Sequence, residues 1–147
     1  MDFLEILAKA ERLGGTARKE ALTKAIISAR DHGCKITPGG GKAGGVNVRY
    51  GSLKYSVMDI NTKGEVFIHI KHHPSKKITD EQREEANDFI AELEGLEIKN
   101  GPINHYGQCA IPVEDIPIES LESFLTWAID TIRVRYYDPH LSGEQNK

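Results

Sequence analysis

Cysteine is scarce in this chain of 147 residues, and the two present, Cys34 and Cys109, stand far apart. They match neither a paired metal-ligand spacing nor a disulfide framework, so both read as ordinary thiols, and neither a metal nor a cofactor is expected. Long hydrophobic runs are missing as well, which argues against a membrane-spanning helix. The N-terminal stretch Met1-Asp2-Phe3-Leu4-Glu5 carries acidic residues where a secretory signal would carry basic ones. A cytoplasmic protein with no membrane association is the expectation. What is present suffices for a core: 39% of the residues are hydrophobic, enough for one domain over residues 1–138, with a disordered tail over 139–147.

The net charge of −3 hides an asymmetry. Residues 1–77 hold 14 lysines and arginines against 7 acidic residues, whereas residues 78–147 hold 5 against 15. Such a split suits a basic face for an anionic ligand, or two parts that attract each other within or between subunits; it also suits a solvated surface with uneven charge.

Hydrophobic periodicity predicts an α+β fold. Phe3, Leu4, Ile6, Leu7 and Ala10, then Leu22, Ala25, Ile26 and Ala29, recur at helical spacing on either side of Gly14-Gly15, which predicts a helical hairpin over residues 1–33. The Gly-rich stretch over residues 38–45 reads as a flexible linker. From Val46 the period becomes two. A turn at Gly51-Ser52 pairs Val48 with Tyr55 and Val46 with Val57, and a four-residue loop Asn61-Thr62-Lys63-Gly64 sets Val57 opposite Ile68. The result is a three-stranded antiparallel meander with one apolar face. Thr79-Asp80-Glu81-Gln82 is a capping box for a helix burying Ala86, Phe89, Ile90 and Leu93. One or two short strands follow within residues 96–112, with the clearest run at Cys109 to Val113. Pro117 opens a long C-terminal helix with Ile118, Leu121, Leu125, Ala128 and Ile132 facing inward. The sheet and its covering helices, residues 46–138, form a two-layer sandwich.

The opposite face of this sheet carries the most chemistry. The same registers set Arg49 beside Lys54 and Lys54 beside Lys71, flanked by Asn47, Ser56 and His69, with Met58 and Phe67 adding apolar surface. That row suits a phosphate backbone or a carboxylate; it suits equally a solvent-facing sheet whose lysines spread apart in water, or a face partly covered by the N-terminal helices. Lys42 lies in the Gly-rich stretch, where backbone N–H groups can cradle phosphate, although no P-loop spacing is present and a linker is preferred.

Other constellations are weaker. His69, His72 and His73, with His105 and Cys109, can be drawn as a metal site, but His69 and His72 point to opposite faces of a strand and no carboxylate sits at a ligand spacing. Asp59, Glu65 and Lys71 are the only candidates for a metal-dependent nuclease, and Glu65 lies about 20 Å along the strand from Lys71. Neither Ser56 nor Cys109 sits in a nucleophile turn. Arg18, Lys19, Lys24 and Arg30 on the second helix suggest a helix-turn-helix, against which docking or dimerisation of an apolar stripe is preferred.

The order of helix, three strands, helix, short strands and helix over roughly residues 16–136 resembles that of small secretion-chaperone dimers. The resemblance is one of topology and rests on no diagnostic motif. It implies a polypeptide partner on an exposed apolar or sheet surface, and no catalytic residues. The leading expectation is a non-catalytic binding or regulatory module, a homodimer, that engages an anionic partner such as nucleic acid through Arg49, Lys54, His69, Lys71 and Lys42. A protein-binding module is the rival, and an enzyme with a dispersed site a third class.

Overall fold

The computed structural model describes residues 1–39, 41–50, 56–70 and 78–131. The first element, α1 (Phe3–Asp31), opens on a capping box in which the Asp2 carboxylate accepts from the Glu5 N–H and the Glu5 side chain accepts from the Asp2 N–H. Its backbone breaks at Gly15, at φ 80° and ψ −177°, within the Gly14-Gly15 pair. An unbroken helix of this length would hold Phe3 about 40 Å from Arg30. Instead Phe3 and Leu7 line one cavity together with Ile26, Ile27 and Arg30. The chain therefore turns back at Gly15, and both halves contribute buried residues, Ile6 and Ala10 from one, Leu22, Ala25 and Ala29 from the other.

Five strands follow in an antiparallel sheet whose spatial order equals the chain order: β1 (Cys34–Pro38), β2 (Gly45–Tyr50), β3 (Met58–Asn61), β4 (Val66–His69) and β5 (Tyr106–Gln108). The sequence reading placed no strand before Val46. The alternation Cys34-Lys35-Ile36-Thr37 forms β1, paired with β2 from Cys34↔Tyr50 to Pro38↔Val46. The Gly-rich stretch is thus the turn of a β-hairpin rather than a linker, and the Gly39 N–H donates to the Gly45 carbonyl across its base.

The expected registers are corrected at both turns. Val48 pairs with Met58 and Val46 with Ile60, not with Tyr55 and Val57. Between β3 and β4 the Asn61 N–H donates to the Glu65 carbonyl and the Gly64 N–H to the Asn61 carbonyl, so the loop has one residue fewer than expected. Met58 then pairs with Ile68. Because side chains alternate, that shift carries Met58 from the polar face into the core, where it is fully buried. Val57 is buried too, and its N–H donates to the carbonyl of Val48, the residue that Met58 faces. Two residues opposing one is the arrangement of a β-bulge, and it lets neighbours share the core side. The Gly51-Ser52 turn, with Leu53, Lys54 and Tyr55, lies outside the described residues.

Helix α2 (Asp80–Ala91) has the expected capping box: Thr79 Oγ1 accepts from the Gln82 N–H, and Gln82 Oε1 accepts from the Thr79 N–H. Ala86 and Ile90 are buried, while Phe89 stacks on Trp127 with ring centroids 5.2 Å apart. The later strand lies earlier than expected, at β5. Cys109 only bridges to Ile98, and Pro112 precedes a short 3₁₀ turn (Val113–Asp115). Helix α3 (Ile118–Trp127) buries Leu121, Phe124 and Leu125, and Ala128 is buried in a π-helical turn over residues 128–131. Ile118 is only half-buried. Ile132 and the residues expected as a tail lie outside the described residues.

Side chains from all three helices and from Val46, Val48, Met58, Ile60, Val66 and Ile68 form one apolar cluster. Of the helices, α1 packs closely on the sheet, against edge strand β1. No helix among the described residues is long and apolar enough to cross a membrane.

Candidate functional site

Alternation sends the other side chain of each pair to the second face of the sheet. Reading across the strands, these are Lys35 and Thr37, Asn47 and Arg49, Asp59 and Asn61, Phe67 and His69, then Tyr106 and Gln108. At one corner Lys35 pairs directly with Arg49. Like charges opposite each other on a sheet are unfavourable unless solvent or an anion separates them. Arg49 Nη2 donates to Thr37 Oγ1 over 3.3 Å, while its Nε is buried with no hydrogen-bond partner.

The acids of this face are held by neighbours. His69 Nε2 and Asp59 Oδ2 are 2.6 Å apart; an ionised carboxylate only accepts, so the imidazole donates. Glu65 takes Asn61 Nδ2 on one oxygen at 2.8 Å and Gln108 Nε2 on the other at 3.0 Å. Asp59 Oδ1, like Arg49 Nε, is buried without a hydrogen-bond partner among the described residues. Neither Lys35 nor Arg49 forms an ion pair among the described residues. Glu65 and one oxygen of Asp59 are thus engaged, and Lys35 and Arg49 form a positive corner.

Its far side is aromatic. Tyr106 is 60% exposed, stacks on His69 with centroids 5.5 Å apart and 28° between the planes, and meets Phe67 at 6.3 Å. A flat, solvent-exposed ring backed by two others is a platform for a further π-system.

Of the residues expected at the site, Arg49 and His69 lie on this face, and Lys42 is exposed in the β1–β2 turn, its carbonyl accepting from Lys9 Nζ at 3.4 Å. Lys54, expected beside Arg49, and Lys71, expected beside Lys54, lie outside the described residues. Sequence reasoning missed Lys35, Asp59 and Tyr106 as members of the face. Lys35 was legible in the period-two run before the glycines; Asp59 was hidden by the register shift; Tyr106 sits in a strand too short for a pattern.

No family model, curated protein or solved structure matches the chain. Function is therefore argued from the face itself. Among the described residues no three His, Cys, Asp or Glu side chains converge as a metal site. His105 is exposed, and its carbonyl accepts from the Ile70 N–H. His72 and His73 lie outside the described residues. The basic side chains of the second half of α1 are dispersed: Arg18 is bound to Glu114, Lys19 lies 4.0 Å from Glu11, and Lys24 and Arg30 line two separate cavities. Such a set does not read a groove as one surface.

Proposed function

We propose that the protein is a non-catalytic binding module whose open sheet face engages an anionic partner, single-stranded nucleic acid. The observation that carries this reading is the exposed Tyr106 ring, stacked on His69, on the same face as the Lys35–Arg49 pair. Exposed aromatics on a sheet take unpaired bases by stacking, and adjacent cations take the phosphates. Lys42, exposed in the neighbouring turn, supports the same reading. The reading takes the helices as one layer and the sheet as the other, which leaves this face for the ligand. His69 is paired with Asp59 in the manner of a cross-strand contact that sets the imidazole under Tyr106, and this favours a platform over a catalytic dyad.

The test is binding of short labelled single-stranded DNA and RNA at two salt concentrations, with Tyr106→Ala and Lys35→Gln as variants. Both residues are exposed, so the fold should tolerate the changes. Loss of one stacked base costs about 1–3 kcal/mol, which is roughly five- to a hundredfold in affinity. Lys35→Gln should lower the salt slope by about 1. Absence of binding at low salt, or binding that neither variant alters, would sink the reading.

A further inference from the structure

A second candidate site lies beside edge strand β1, where the two halves of α1 pack, and shares Lys35 with the first. The turn of α1 at Gly15 leaves a cavity of about 500 Å³ between its two halves and the edge strand β1, lined by Phe3, Leu7, Ile26, Ile27, Cys34 and Ile36 together with Thr23, Arg30 and Lys35. This volume falls in the range of small-molecule sites, which combine an apolar lining with few polar groups. Here those polar groups have one sign. Thr23 Oγ1 donates to the Lys19 carbonyl at 2.8 Å, which leaves the charged lining to Arg30 and Lys35, and among the described residues no acid lines the cavity. Neither cation forms an ion pair among the described residues. The Cys34 thiol stays neutral, because burial pushes its pKa up to about 11.

We propose that this cavity binds a free aliphatic carboxylate, with its chain along Leu7, Ile26 and Ile36 and its head at Arg30 and Lys35. The apolar floor asks for hydrocarbon, and the unmatched positive rim asks for an anion. A neutral hydrocarbon would leave both cations without a partner, and an organic cation would be repelled by them. Lys35 is common to this site and to the nucleic-acid reading, and the dependence on chain length tells the two apart, because it is set by Leu7, Ile26 and Ile36 alone.

The test is calorimetric titration of the whole protein with hexanoate, octanoate, decanoate and decanol. Affinity for the carboxylates should rise about three- to fourfold per added methylene until the cavity is filled. The double variant Arg30→Gln, Lys35→Gln should bind decanoate about fivefold more weakly and decanol unchanged. Decanoate should also slow thiol labelling of Cys34 and Cys109 by the same factor, because it binds only the folded chain, a readout that does not depend on the variant. Affinity independent of chain length, or equal binding of decanol and decanoate to the unsubstituted protein, would overturn the proposal. So would a dimer in sedimentation that decanoate does not dissociate, since a second copy would then be the occupant.

Discussion

Glu114 shows how a single side chain ties distant parts of the chain together. Arg18, 96 residues earlier, grips its carboxylate with Nε at 3.1 and 3.2 Å and Nη2 at 2.9 Å, and both side chains are about 85% shielded from solvent. Burial alone would raise the pKa of Glu114; the hydrogen bonds from Arg18 and the backbone, with the guanidinium charge, hold it below the ordinary carboxylate value. A carboxylate whose pKa is lower folded than unfolded stabilises the protein above its unfolded pKa, and that contribution is lost as pH falls through the folded pKa. Glu114→Gln should therefore cost about 1–3 kcal/mol at neutral pH. The deficit should shrink towards zero in acid, where the native residue is itself protonated. Urea denaturation of both proteins across the acid range measures this, and a deficit that stays constant with pH would contradict the assignment.

At the scale of elements, steric contact decides where substitutions are tolerated. A Cβ on Gly45 would lie 2.4 Å from the Ile60 carbonyl oxygen and 2.7 Å from Asn61 Cα, and neither is a side-chain tip that can swing away. Gly45→Ala should destabilise the sheet by about 1–3 kcal/mol. Gly41→Ala, where a Cβ meets nothing within 4 Å, should be neutral, and equal denaturation midpoints for the two variants would show that the close approach is unimportant. The elements themselves were partly legible. The capping box at Thr79 and Gln82 and the inward positions Ala86 and Ile90 came from residues alone, because a helix writes its boundary and its buried stripe locally. The sheet did not yield in the same way. Its alternation at Val46, Val48 and Ile68 was visible, but pairing between strands depends on turn length and on the bulge at Val57 and Met58, and neither leaves a local residue pattern. An odd shift at each turn, three residues between β2 and β3 and one between β3 and β4, exchanged Met58 for Asp59 on the candidate face. Arg49 and His69 survived that error since their own strands were correctly phased.

For the whole molecule, the two thiols report on whether one core behaves as one unit. Cys34 lies on edge strand β1 and Cys109 beyond β5 at the other side of the sheet, and both belong to the same apolar cluster. Burial raises their pKa values to about 11 and about 12, so both are protonated at neutral pH. Thiol labelling of the ligand-free protein should therefore be slow, and the two rates should coincide with global unfolding measured by denaturant. A Cys34 rate far above that of Cys109 would show that β1 and α1 open separately. The uneven distribution of charge also has a partial account at this scale: Arg18 and Glu114 join the basic part of the sequence to the acidic part inside one molecule. The candidate cavity was not legible in the sequence at all, because its walls meet only after α1 doubles back and β1 closes against it.

The bulge at Val57 and Met58 and the short turn before Glu65 bracket Asp59, and together they set the parity of the central strand. Replacing a residue there alters one side chain, whereas adding or removing one exchanges the wet and dry sides of every position up to the next irregularity. A deletion of one residue here would therefore do more harm than any single exchange, and a second deletion that restores the count would repair most of it.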